Sequence, residues 1–159
     1  MSAERIALLA GSVSLALVLG ALGFQYIAGM PPCEMCHWQR WPHIAAALIG
    51  IVGGSLVASH RIEPRHARPI AIAALVLIIL SGAIGFYQAG VEWELLPGPA
   101  ACTGPAVLLT GSLDLNHPVV RCDVAAWRLF GISLAGYNGL LSFATVSAGL
   151  FMLRRGRKH

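Results

Sequence analysis

Charge is what this sequence has least of. Only 11% of the 159 residues are Asp, Glu, Lys or Arg while 57% are hydrophobic, and the mean hydropathy is +0.71; water-soluble domains carry roughly a quarter charged residues. An ordinary solvated fold is excluded. There is no internal repeat, no low-complexity tract and no polar stretch long enough to form a separate soluble domain, which leaves one helical membrane domain over residues 1–159. The net charge of +4 comes from clusters that flank apolar runs, so it marks membrane topology and argues against a nucleic-acid partner.

What is abundant is apolar sequence in runs suited to a bilayer core of about 30 Å at about 1.5 Å per residue. Four runs, approximately 6–28, 32–58, 69–89 and 129–153, predict an all-α membrane protein, a four-helix transmembrane bundle. The first is too long for the apolar core of a signal peptide, and GFQYIAGMPPC offers no small-residue cleavage site, so it reads as a retained span. Eight of the eleven cations, namely Arg5, Arg61, Arg65, Arg68, Arg154, Arg155, Arg157 and Lys158, lie before the first run, between the second and third, or after the fourth. Cytoplasmic loops collect Lys and Arg, so both termini are expected in the cytoplasm and all four cysteines outside.

Small residues four apart, Ala16 with Gly20, Gly50 with Gly54 and Ala135 with Gly139, are expected to let helix backbones approach closely. The third connection, 90–128, is long and lies outside. Within it Val107, Leu108, Leu109, Leu113 and Leu115 are expected to lie flat on the membrane surface. Trp38 and Trp41 sit at the depth of an interfacial aromatic belt, and Pro42 is expected to kink the second helix around Trp38.

The cysteines form two outside pairs, Cys33 with Cys36 and Cys102 with Cys122. Their spacing leaves three readings open: structural disulfides, a metal site, or redox chemistry. A CxxC ring closes too little chain to stabilise much, and the wide second spacing is not that of a zinc ribbon. If the second helix starts near Pro32, then Cys33, Cys36 and Arg40 share one face, with the positive helix end and a guanidinium favouring a thiolate. Arg40 inside a span costs up to about 2.5–3.5 kcal/mol at the bilayer centre, which favours a functional partner over a lipid anchor.

PCEMCHWQRWP at the second span, Cys102 and Cys122 in the third connection, and WRLFGISLAGYNGL leading into the fourth span together resemble the disulfide bond formation protein B (DsbB) family over essentially the whole chain. The resemblance implies a quinone-dependent thiol oxidase of the bacterial inner membrane. Such an enzyme reoxidises a DsbA-like periplasmic thioredoxin-fold protein and passes the electrons to ubiquinone or menaquinone. It implies that Cys102 is attacked by the partner thiolate and that Cys122 is its pair-mate. Cys33 then exchanges with that pair, Cys36 faces the quinone, and Arg40 stabilises negative charge beside it.

One departure is Gln88, close to where relatives carry a histidine. Gln88 can hydrogen-bond a quinone carbonyl but cannot carry a proton, so His37, His43 and Glu92 become candidates for the proton route. Tyr137 and Asn138 also match the family pattern. Two alternatives stand beside this reading. A vitamin K epoxide reductase-like protein would keep its CxxC in a late span, and a non-enzymatic assembly protein would hold two inert disulfides.

Overall fold

The computed structural model describes residues 1–103 and 120–156. Helix α1 spans Ala3–Tyr26. Helix α2 runs from Glu34 to Ala58, with a π-helical turn at Ile49–Gly53 between α-helical Glu34–Leu48 and Gly54–Ala58. A 3₁₀ turn at Pro64–His66 leads into α3, Ala67–Glu92. A two-stranded hairpin, β1 at Arg128–Leu129 and β2 at Ile132–Ser133, precedes α4, Leu134–Arg155. All four helices are long and apolar enough to cross a membrane, and they form the expected bundle.

The bundle closes through glycine where backbones meet. A Cβ on Gly50 would lie 2.6 Å from the Ala7 carbonyl oxygen and 2.8 Å from Gly11 Cα, so α1 and α2 touch main chain to main chain. Ala135 and Gly139 bring α4 onto α3, where the Phe86 ring covers Gly139 and the Ala135 carbonyl meets Gly85. The third expected pair behaves differently. Among the described residues, nothing lies within 4 Å of where a Cβ on Gly20 would stand, and Ala16 and Gly20 instead form part of a cavity wall.

Four boundaries depart from the sequence reading, each for a local reason. Cys33, not Pro32, sets the start of α2, because the Cys33 sulfur accepts the Cys36 backbone N–H at 3.3 Å and acts as the N-cap. Pro32 therefore lies ahead of the helix. The helix runs unbroken through Pro42, and its departure from α geometry falls later, at Ile49–Gly53. Helix α3 continues past Ala89 to Glu92 before the chain folds back, with Leu95 N–H donating to the Gly90 carbonyl at 2.9 Å. Residues 129–133 are not helical: Phe130 and Gly131, at φ of 51° and 80°, make a two-residue hairpin turn, and Ser133 caps α4 through Gly136 N–H. The segment expected to lie flat on the membrane, 107–115, falls outside the described residues.

Candidate functional site

The N-terminus of α2 points into a cluster of four cysteines. Cys102 and Cys122 are joined by a disulfide, and Cys33 and Cys36 are free thiols whose sulfurs stand 2.7 Å apart. Cys33, Met35, Cys102 and Cys122 are buried together, with Cys36 and Val120 packed against them. The dithiol thus lies directly beneath the loop disulfide. Two causes hold the Cys33 thiol well above its ordinary range: first its hydrogen bond with the Cys36 sulfur, then burial.

Gln88, on α3, reaches across to both sulfurs. Its Nε2 donates to Cys33 Sγ at 3.4 Å, to Cys36 Sγ at 3.6 Å and to Glu92 Oε1 at 3.1 Å. Its Oε1 accepts from Gln39 Nε2 at 2.6 Å. From there a directional chain runs down the bundle. Asn138 Nδ2 donates to Gln39 Oε1 at 2.8 Å, His43 Nε2 lies 2.8 Å from Asn138 Oδ1, and His43 Nδ1 lies 3.2 Å from Ser14 Oγ. Because each amide's donor end is committed, Asn138 Oδ1 is an acceptor and the His43 proton sits on Nε2. Ser14, Gln39, His43 and Gln88 are all buried. Polar side chains in a membrane-spanning bundle are costly unless paired in this way.

Two cavities flank the dithiol. The larger, about 310 Å³, opens between α1, α2 and α4; its wall includes Ala16, Gly20, Phe24, Cys36, Arg40, His43, Tyr137 and Asn138. The smaller, about 50 Å³, is lined by Cys33, Cys36, Gln88, Glu92 and Arg121 among others. Cys36 belongs to both walls. Arg40 is half-buried, with Nη1 donating to Gln25 Oε1 at 2.5 Å and Nη2 to the Ala21 carbonyl at 3.5 Å. Its guanidinium is therefore held to α1 at the wall of the larger cavity.

These positions sort the residues singled out in the sequence. Cys33, Cys36, Cys102 and Cys122 converge. Arg40 joins them only through the cavity that it shares with Cys36, so the face predicted for Cys33, Cys36 and Arg40 is split, with Cys33 turned to the disulfide. Gln88 lines the smaller cavity and is engaged by sulfurs and amides. His37 is exposed, while Glu92 is buried at the sulfur site. Gln39, Gln25 and Ser14 were missed as site residues. A polar residue in an apolar run was their signal, and for Gln39 it stood inside the quoted QR step.

A bundle of four spans that buries a dithiol against a disulfide at one end has the cysteine arrangement of a disulfide-handling membrane protein. Residues 3–152 match the family model described as "Disulfide bond formation protein DsbB", and the chain belongs to that family. It is 28% identical to the disulfide bond formation protein B of Aromatoleum aromaticum, covering 89% of each chain. It is also 28% identical to that of Burkholderia thailandensis, over 97% of this chain and 92% of the relative. The counterpart in Pseudoalteromonas translucida is 26% identical, over 94% of this chain and 88% of its own. No solved structure matches the chain significantly. The protein is accordingly a multi-pass protein of the bacterial inner membrane, with both termini cytoplasmic and the cysteine loop on the periplasmic side.

Proposed function

We propose that this protein is a quinone-dependent thiol oxidase that reoxidises a DsbA-like periplasmic thioredoxin-fold protein and so sustains disulfide formation. The observation that carries the reading is the position of Cys36. Its thiol is hydrogen-bonded to that of Cys33 beside the loop disulfide, and its side chain also walls the cavity that contains Arg40. Electrons arriving at the disulfide therefore have a covalent route to the cavity by two exchanges and no metal.

Cys102 is the atom for the partner thiolate to attack, and Cys122 is the leaving sulfur. At 3% exposure, Cys102 must be uncovered before an in-line approach is open. The loop dithiol left behind is reoxidised by exchange with a Cys33–Cys36 disulfide, which opens to the dithiol as Cys102–Cys122 closes again; the Cys33–Cys36 ring re-forms when its two electrons and two protons pass to the acceptor at Cys36. Gln88 holds both sulfurs in register through one amide nitrogen. Arg40 supplies a fixed positive charge in a low-dielectric wall, where it is worth more than in water.

The larger cavity suits a quinone ring. Its volume of about 310 Å³ lies at the lower end of small-molecule sites. Its wall is mostly apolar, and its convergent polar groups are Cys36, Gln39, Arg40, His43 and Asn138. A quinone bound there supplies a two-electron acceptor. A partner at about −120 mV, the potential of DsbA itself, cannot be reoxidised by a glutathione pool near −200 mV, so a stronger oxidant is needed.

The test is to mix the detergent-solubilised protein with reduced thioredoxin-fold partner and a quinone analogue, then follow quinone reduction optically. Stoichiometric quinone loss that requires both the partner and the four cysteines is expected. A Cys33–Cys36 pair that stays inert to both reagents would return the protein to structural disulfides.

A further inference from the structure

Oxidising a dithiol releases two protons as well as two electrons, and the amide that touches both sulfurs, Gln88, can carry neither proton. Glu92 lies one turn further along α3 and is only 8% exposed. Its Oε1 is engaged by Gln88, while its Oε2 is buried with no close hydrogen-bond partner among the described residues. Glu92 lines the small cavity together with Cys33 and Cys36. We propose that Glu92 is the proton acceptor of the Cys33–Cys36 dithiol, its Oε2 and the sulfurs sharing one proton across that cavity.

The chemistry is a charge swap. One S–H bond breaks, an O–H bond forms at Glu92 Oε2, and the sulfur keeps the electron pair; no electron leaves the dithiol in this step. The site carries one negative charge before and after, on the carboxylate or on sulfur, so no second charge has to be desolvated. When the pair is oxidised, two electrons and two protons leave in total, one of the protons from Glu92, which returns to carboxylate. A cavity of about 50 Å³ has room for a relaying water, and it presents the carboxylate and both thiols as polar partners.

The surrounding charges favour this assignment. From the hairpin, Arg128 donates to the Glu92 backbone carbonyl at 3.0 Å and is the cation that balances the shared charge. Arg121, on the loop side of the cavity, is paired with Asp123 at 2.6 Å. Ser133, from β2, turns its hydroxyl toward the carboxyl as a donor. The titratable groups facing Glu92 from α2 are the two thiols themselves. His43 and His37, the other candidates for carrying protons, do not line this cavity. This inference rests on the oxidase reading only for its purpose; the proton sharing itself needs neither quinone nor partner.

The test uses the purified full-length protein with the loop disulfide closed, so that Cys33 and Cys36 are its only thiols, and measures their alkylation rate against pH. Two acids sharing one proton ionise in two steps, and between the steps the thiolate fraction is flat. The native protein is expected to show that plateau. Glu92→Gln should abolish it, leaving a single ionisation in which the rate climbs about tenfold per pH unit across the same range. Glu92→Asp should keep two steps. A single ionisation in the native protein, or a plateau that survives Glu92→Gln, overturns the proposal. If Glu92→Gln does not fold, infrared difference spectra of the native protein on chemical oxidation of the pair decide. A carboxyl C=O band that changes with the redox state of the pair and shifts in Glu92→Asp supports the proposal; the absence of such a band refutes it.

Discussion

The two ends of this bundle use the same kinds of residue to opposite effect. Toward the cytoplasmic end, Ile6, Ala7, Ala10, Ala46, Ala71, Ala74, Leu75, Ile78 and Leu153 make one buried cluster, and Gly11 is pressed onto Gly50. Two turns further along α1, Ala16, Gly20 and Ala21 are just as small, yet they face the large cavity. A small residue brings helices together only where the opposite surface fills the space that it leaves, as Gly50 does on Gly11 and the Phe86 ring on Gly139. Where the facing residues are Cys36, Arg40 and Tyr137, the missing side chain becomes cavity volume. The difference teaches that one end is built for contact and the other for chemistry.

The strongest way to break this contrast acts on the chemical end alone. Cys102→Ser is expected to abolish oxidation of the partner while leaving the helical circular dichroism spectrum and quinone binding intact; continued partner oxidation would mean that the loop pair plays no part. The matched pair Gly11→Leu and Gly20→Leu sharpens the comparison directly. Gly11→Leu drives carbon into the Ile51 nitrogen, which would lie 2.7 Å from the Cβ, and should cost about 3 kcal/mol, seen as a lower unfolding midpoint in detergent. Gly20→Leu should melt within about 0.5 kcal/mol of the native protein but lose at least about tenfold in quinone affinity, equivalent to ~1.4 kcal/mol. Equal melting losses in the two variants would erase the distinction.

Smaller effects test individual walls. Arg40→Ala removes a charged donor from the cavity and should weaken apparent quinone affinity by roughly tenfold, about 1.5 kcal/mol, with partner binding unchanged. An unaltered quinone affinity would make Arg40 a tie to Gln25 and no more. Trp41, at 70% exposure, should tolerate Phe with less than about 0.5 kcal/mol change in stability and no change in turnover. A larger loss would give it a role beyond the interfacial belt.

Much of the fold was legible because bilayer thickness and loop charge act on the sequence directly. Four runs gave four helices, and Arg61, Arg65 and Arg68 oriented them. Boundaries were less legible where side chains rather than hydropathy decide them. The cap at Cys33 and the Phe130–Gly131 turn both lie in stretches that apolar counting extends straight through. The four cysteines were visible as two pairs. Which pair is closed, and that both lie in one buried cluster, depended on α2 meeting the loop. In the sequence Glu92 falls in the outer connection, and its burial depends on distant partners such as Arg128, 36 residues away.

By itself, then, the sequence determined the solvent in which the chain folds, the number and direction of its spans, and which sulfurs are available outside. Those properties follow from local composition, and each residue contributes to them independently of its distant neighbours. Only the tertiary structure decided that Gln88 bridges both thiols, that Cys36 lines two cavities and that one buried oxygen of Glu92 has no close partner among the described residues. Those depend on how side chains from different helices meet, and packing geometry of that kind is a property of pairs far apart in the chain.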